Sequence, residues 1–178
     1  MSWARNVLLV DPGAEGRAGG NRVTALRWAM ILRRLGHRPR RAARFDGRPA
    51  DVLVALHAVR SADSIDAFRA RFPGGGVVVA LTGTDLHDAA GRDRLERSLA
   101  LADAVVVLHE GALPLLPDAA RGKARVIVQS VELPREPPPP PSGFQVCVLA
   151  NLRAVKDPLL GARAAMLLPA SSRARVVL

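Results

Sequence analysis

The chain has 178 residues, 49% of them apolar, with 26 Lys or Arg against 16 Asp or Glu and a formal charge of +10. That much apolar material excludes a wholly disordered chain, and the length suits one large domain or one domain plus part of another. No apolar run approaches the roughly 18 residues of a membrane helix, the first residues lack a signal-peptide core, and a single cysteine, Cys147, excludes an internal disulfide. These features read as a cytoplasmic protein without a membrane span.

Taken in order, residues 7–10 form a short buried strand that ends at Asp11-Pro12. A glycine-rich loop follows, with Gly13, Gly16, Gly19, Gly20 and Asn21. A helix is expected over 22–35, with Val23, Leu26 and Met30 on its inner face and Gly36 as its stop. Strand, glycine loop and helix in that order turn backbone N–H groups and the positive helix end towards any phosphate above the sheet. The same loop also suits a flexible connector, and its spacing is not the dinucleotide fingerprint.

Further strands are expected over 41–45, 51–57, 77–81, 104–108 and 124–128, and the turn Asp46-Gly47-Arg48-Pro49 separates the first two. Ser61 should cap a helix carrying Ile65, Phe68 and Phe72, and a helix over 92–101 carries Leu95 and Leu99 inward. The run from Val77 to Leu81 is apolar without alternation, as in a strand covered on both faces. It gives way to Thr82, Gly83, Thr84 and Asp85. Strand and helix alternate throughout, so the fold class is α/β with a doubly wound parallel sheet.

The carboxyl ends of such strands lie on one edge, where open α/β sheets bind ligands. Here they end in Asp11, in His57, in Thr82 to Asp85, in His109 with Glu110, and in Gln129 with Ser130. Any one of these also suits a turn or a cap; collected, they read as a polar ligand edge. The histidines lack metal-ligand spacing, so no metal is expected. Cys147 sits in an apolar run and reads as a small buried hydrophobe. The excess positive charge is nearly all Arg, with no Tyr, four Phe and no nucleic-acid motif. The expected partner is therefore a small anion and not nucleic acid.

The composition changes after Ser130. Residues 135–143 are Pro-rich and read as a stiff linker between a first domain, 1–134, and a second α/β start, 144–178. In the second, a strand over 144–149, a loop to Pro158 and a helix over 159–168 lead into a strand at the last residues. Some thirty residues do not close a core of their own, so this second domain is expected to be incomplete.

Two such domains, with the phrase Ala102-Asp103-Ala104-Val105-Val106-Val107 and the loop 151–158, resemble the retaining family 4 glycosyltransferases of the two-Rossmann-domain (GT-B) type. The segments 20–29, 55–62, 81–86, 97–102 and 152–158 together resemble the selenosugar synthases of the selenoneine pathway within that class. The resemblance implies that selenophosphate, a small anionic acceptor, attacks the anomeric carbon of a UDP-sugar, UDP-N-acetylglucosamine being typical, with no cofactor. It implies that Lys156, with Arg153 standing in for the usual arginine, contacts the donor diphosphate. Gly19, Gly20, Asn21 and Arg22 would cradle an anion, with Arg60 as a further contact. His57, Thr82, Gly83, Thr84 and Asp85 would line the acceptor side, with His57, Asp85 and His109 as candidate catalytic groups. A family 4 hexosyltransferase with an oxygen acceptor, a catalytically silent truncated form, and a receiver-like binding module built on Asp11 are the other readings.

Overall fold

Six short runs, most of them apolar, pair edge to edge into one parallel sheet. The structure, a computed structural model, describes residues 3–13, 19–132, 135–136, 139–140, 143–149 and 156–177. The elements of the first part are β1 (Asn6–Val10), α1 (Gly20–Arg34), β2 (Arg38–Ala42), β3 (Val52–Leu56), α2 (Ala62–Arg71), β4 (Gly76–Ala80), α3 (Arg92–Leu101), β5 (Ala104–Val107), α4 (Asp118–Arg121) and β6 (Ala124–Val126). The strands lie side by side in the order β2-β1-β3-β4-β5-β6, all parallel. This is a Rossmann-like α/β sheet. The chain steps left from β1 to β2 and then returns to β1's other side for β3, so the topological switch lies between β1 and β3.

One face of the sheet carries Leu8, Val10, Leu53, Val77, Val79 and Val105, packed with Ile65 and Phe68 of α2 and Leu95 and Leu99 of α3. Burying each such side chain is worth about 1.5–3 kcal/mol, so this layer dominates the stability. The other face presents Val7, Leu9, Val54, Leu56, Ala80 and Val106 to α1. One helix does not span the sheet's full width. A groove of about 250 Å³ remains between Trp28 and Ile31 of α1 and Val78, Val106 and Ile127 of the sheet. Val78 is consequently half-buried, where the sequence alone suggested burial on both sides.

The inner face of α1 differs from the one expected. Val23 and Leu26 are 65% and 48% exposed, whereas Ala25 and Ala29 are buried against the strands. Small side chains let the helix axis approach the sheet closely, and the bulkier Trp28 and Leu32 fill the flanks. Gly36 ends the helix as expected. Its φ is +83°, and the N–H groups of Gly36 and His37 return to the carbonyls of Arg33 and Leu32 at 2.9 Å each, a Schellman closure.

Two local expectations shift. Strand β2 runs over Arg38–Ala42, not 41–45, because main-chain pairing with β1 sets its register and an edge strand tolerates Pro39. Phe45 leaves the strand and packs edge-on against Phe68 and Phe72 at 5.5 and 6.2 Å. Ser61 precedes α2 without capping it; its hydroxyl donates back to the Leu56 carbonyl at 2.7 Å. At the amino edge of the sheet, Arg69 of α2 donates to the carbonyls of Gly75 and Leu101 and to Asp103 Oδ2, at 2.9, 2.8 and 2.7 Å. Asp103 also takes the Val77 N–H at 2.7 Å. Burial alone would raise the Asp103 carboxyl, but these donors hold it below the usual carboxylate range.

The chain divides into two compact units, Met1–Ser130 and Val131–Leu178. In the second, β7 (Gln145–Cys147) and β8 (Arg175–Val177) form a parallel pair joined through α5 (Leu160–Ala165). Cys147 is exposed, contrary to the buried role expected of it, because two strands and one helix enclose no interior. Among the described residues no helix is long and apolar enough to cross a membrane. None of the described residues of 131–178 is buried, so limited proteolysis followed by mass spectrometry should cut this unit first and leave a resistant fragment ending near Ser130. Equal resistance of the two units would show a core in the second that the burial pattern lacks.

Candidate functional site

The site grows from two consecutive strand ends, those of β3 and β4. His57 follows β3 and adopts φ +70°, a left-handed conformation that costs a non-glycine residue about 1–2 kcal/mol and persists only where neighbours enforce it. Its own N–H donates to the Ala80 carbonyl at 2.9 Å. The next peptide is gripped on both sides: Ala58 N–H donates to Asp85 Oδ2 at 3.1 Å, and the Ala58 carbonyl accepts from Ser98 Oγ at 2.9 Å. Arg94 Nε donates to the Val59 carbonyl at 3.0 Å. Ser98 and Arg94 stand one helical turn apart on α3, so one helix face pins this loop.

Asp85 binds the second loop to the first. Its Oδ1 accepts the N–H groups of Thr82 and Gly83 at 3.1 and 3.0 Å, while Oδ2 takes Ala58. The side chain is fully buried. Gly83 sits at φ +106°, a conformation that favours glycine. The carboxylate thus occupies its lone pairs with backbone donors, and its geometric role is to fix both loops.

This framework places His57 Nε2 at 3.2 Å from Thr84 Oγ1. On the other side of the ring, Arg60 N–H donates to His57 Nδ1 at 3.4 Å. The Arg60 N–H contact at Nδ1 favours the tautomer with the proton on Nε2, in which Nε2–H donates to the Thr84 oxygen. The hydroxyl proton of Thr84 is then free to point at a ligand. Burial pushes the imidazole below its usual value; Asp85 opposes this, Arg60 reinforces it and Asp88 opposes it more weakly. Neutral imidazole is therefore the form in place at neutral pH. Arg60 is exposed, and its guanidinium makes no hydrogen bond or ion pair with the described residues.

The other expected residues distribute around this centre. Ala25 of α1 packs on Leu56, Ala80 and Val106 at the carboxyl ends of three strands, which brings the first turn of the helix, with Gly20, Asn21 and Arg22, to the same edge. Gln129, after β6, donates to Thr24 Oγ1 at 2.9 Å, and Thr24 donates in turn to the Gly20 carbonyl at 3.0 Å. Gly19 precedes the helix in extended conformation. His109 follows β5 on this edge and is exposed, and a side chain at Gly111 would come within 3.2 Å of its ring. Lys156 is exposed in the second unit. Arg153 and the middle of the glycine loop lie outside the described residues. Sequence reasoning passed over Ser98 and Arg94. The signal was a serine on the inner stripe of α3, between Leu95 and Leu99, where an apolar residue would otherwise pack.

Removing the Asp85 carboxylate strands three backbone N–H groups, each costing about 1–3 kcal/mol when left unmade. Asp85→Ala should lower the unfolding free energy by about 3 kcal/mol or more in chemical denaturation, and Asp85→Asn by less. An effect under about 1 kcal/mol for Asp85→Ala would show that the loops hold without it. His57 gives a pH signature of definite sign. Its folded value lies below the unfolded 6.5, so the unfolded state binds the proton more readily. The associated stability is intact above about pH 6.5 and is lost as pH falls through the lowered folded value. Thermal unfolding between about pH 8 and pH 5 should therefore show a drop that is shallower in His57→Asn, since asparagine tolerates the positive φ. Identical slopes would remove His57 as the origin.

The sequence matches no protein-family model and no curated protein.

Proposed function

We propose that this chain carries the acceptor side of a glycosyltransferase that joins selenophosphate to the anomeric carbon of a UDP-sugar, UDP-N-acetylglucosamine in the first instance. The observation that carries this reading is the polarity of the His57–Thr84 pair. Arg60 N–H to Nδ1, and Nε2–H to Thr84 Oγ1, leave the Thr84 hydroxyl proton available to a ligand, and the Arg60 guanidinium acts electrostatically on the same imidazole. Such a pair suits an oxyanion that only accepts. It does not suit a hydroxyl that must surrender a proton, because Nε2 already holds one and Nδ1 is engaged.

Selenophosphate fits this polarity. Its selenium already carries negative charge, so attack needs no general base. The C1–Se bond forms as the C1–O bond breaks, with the electron pair leaving on UDP; water then takes the phosphoryl group, giving a selenosugar, UDP and phosphate. Thr84 and Arg60 hold the phosphate end of the acceptor, His57 orients Thr84, and Asp85 positions both loops without touching substrate. The glycine loop with Asn21 and Arg22 supplies backbone donors and positive charge to an anion at the helix start. Lys156 and Arg153 belong to the donor diphosphate. An oxygen-acceptor hexosyltransferase is favoured by one feature only, the exposed His109, which is a base without a proton-bearing partner among the described residues.

Incubating the protein with UDP-N-acetylglucosamine and selenophosphate should give a product with the selenium isotope pattern in its mass spectrum. Thr84→Val should reduce kcat/KM for selenophosphate about tenfold, equivalent to about 1.4 kcal/mol. Transfer of the sugar to an alcohol with selenophosphate ignored would establish the oxygen-acceptor reading instead.

A further inference from the structure

The polarity of the His57–Thr84 pair turns on one donor, the Arg60 N–H, and at 3.4 Å from His57 Nδ1 that contact is long. A contact of this length selects a tautomer only while its peptide is kept from turning. The carbonyl of the same peptide belongs to Val59, and it is held: Arg94 Nε donates to it at 3.0 Å. The peptide is trans, and a trans peptide is planar, with its C=O and N–H directed oppositely. Drawing the Val59 carbonyl towards α3 therefore turns the Arg60 N–H towards the imidazole.

Arg94 is itself fixed from the far side. Its Nη2 pairs with Asp63 Oδ2 of α2 at 2.9 Å, and this hydrogen bond holds the Asp63 carboxyl below the usual carboxylate range. A planar guanidinium taken at two points, by a carboxylate and by a carbonyl, does not swivel. Ser98, one turn along α3, does something different. Its Oγ holds the Ala58 carbonyl at 2.9 Å, which belongs to the preceding peptide. The N–H of that peptide is Val59's, not the donor that meets Nδ1.

The consequence reaches Thr84. With the proton on Nε2, the ring donates to Thr84 Oγ1, and the hydroxyl proton of Thr84 is left for a ligand that accepts. With the proton on Nδ1, Nε2 accepts from Thr84 instead, and the hydroxyl oxygen is left with lone pairs for a ligand that donates. The choice between the two is made at Nδ1.

We propose that Arg94 is a positioning residue that decides the specificity of this site: through the Val59–Arg60 peptide it keeps the proton of His57 on Nε2, and so makes the Thr84 hydroxyl a donor to the ligand. It acts through the peptide and not by contact with the ligand. The inference deepens the reading of the pair as an anion site and rests on it for the ligand's identity.

The test compares the protein with Arg94→Met and Ser98→Ala by proton–nitrogen correlation spectra of the imidazole rings at about pH 8, where histidine is neutral, with His57→Asn identifying the His57 signals. The Arg94 side chain is 40% exposed, so its truncation leaves the core intact. Arg94→Met should lower the ratio of the Nε2–H to the Nδ1–H tautomer about fivefold, the weight of one ordinary hydrogen bond. Titration with inorganic phosphate should show affinity falling by about the same factor. Ser98→Ala loosens the same loop and should lower the thermal midpoint, yet leave the ratio as it is in the unsubstituted protein. An unchanged ratio in Arg94→Met overturns the proposal. So does an equal fall in Ser98→Ala, which would make the tautomer a measure of loop order alone. A phosphate affinity that holds while the ratio falls also overturns it, because specificity would not follow the tautomer. If the ratio responds as stated and phosphate fails to bind even the unsubstituted protein, the anion reading of Thr84 falls and the positioning role of Arg94 stands.

Discussion

The buried carboxylate of Asp85 is the constraint on which the candidate site depends. It draws in backbone donors from the two loops that follow β3 and β4, Ala58 on one side and Thr82 and Gly83 on the other. A carboxylate taken out of water needs such donors to offset its desolvation. The donors in turn need the two loops to sit within reach of each other. The result is mutual: folding the loops satisfies the charge, and the charge fixes the loops. His57 and Thr84 meet at 3.2 Å because they flank the residues so held.

The rest of the scaffold serves this edge from a distance. Helix α3 grips the first loop through Ser98 and Arg94, and α2 and α3 supply the thick apolar layer beneath. Helix α1 lies on the opposite face and comes close through Ala25 and Ala29, which carries its amino end over the carboxyl ends of the central strands. Arg69 and Asp103 close the far edge of the sheet with a shared set of hydrogen bonds. Hydrogen-bonded side-chain networks thus brace both ends of the strands, Asp85, Ser98 and Arg94 at the carboxyl ends and Arg69 with Asp103 at the amino ends.

The two faces of the sheet are covered unequally. The face towards α2 and α3 is sealed, while the face towards α1 keeps an apolar groove beside Val78, Val106 and Ile127. The protein's positive charge does not gather into one structural device. Several arginines are drawn into pairs, Arg40 with Asp46, Arg94 with Asp63 and Arg97 with Asp66, and act as braces between elements. Arg60 stands apart from these, exposed beside the neutral imidazole.

Periodicity determined most of what is regular here. Continuous apolar runs marked β1, β3, β4 and β5, the serial alternation with helices marked a parallel sheet, and Gly36 and Gly47 marked turns that their positive φ requires. The polar residues after each strand were expected to share one edge, and the parallel sheet gathers them there, because parallel strands all end on one side. Pairing decided what periodicity leaves open. Register moved β2 away from Phe45, since main-chain bonds to β1 outweigh the apolar content of the segment. Close packing chose Ala25 and Ala29 over Val23 and Leu26 as the inner face of α1. The roles of Asp85, Ser98 and Arg94 are set by hydrogen bonds between residues 27 to 40 apart in the chain, and local spacing carries no record of a contact at that separation. The proton on Nε2 of His57 likewise follows from which groups surround the ring, a fact that exists only once the loops have closed around it.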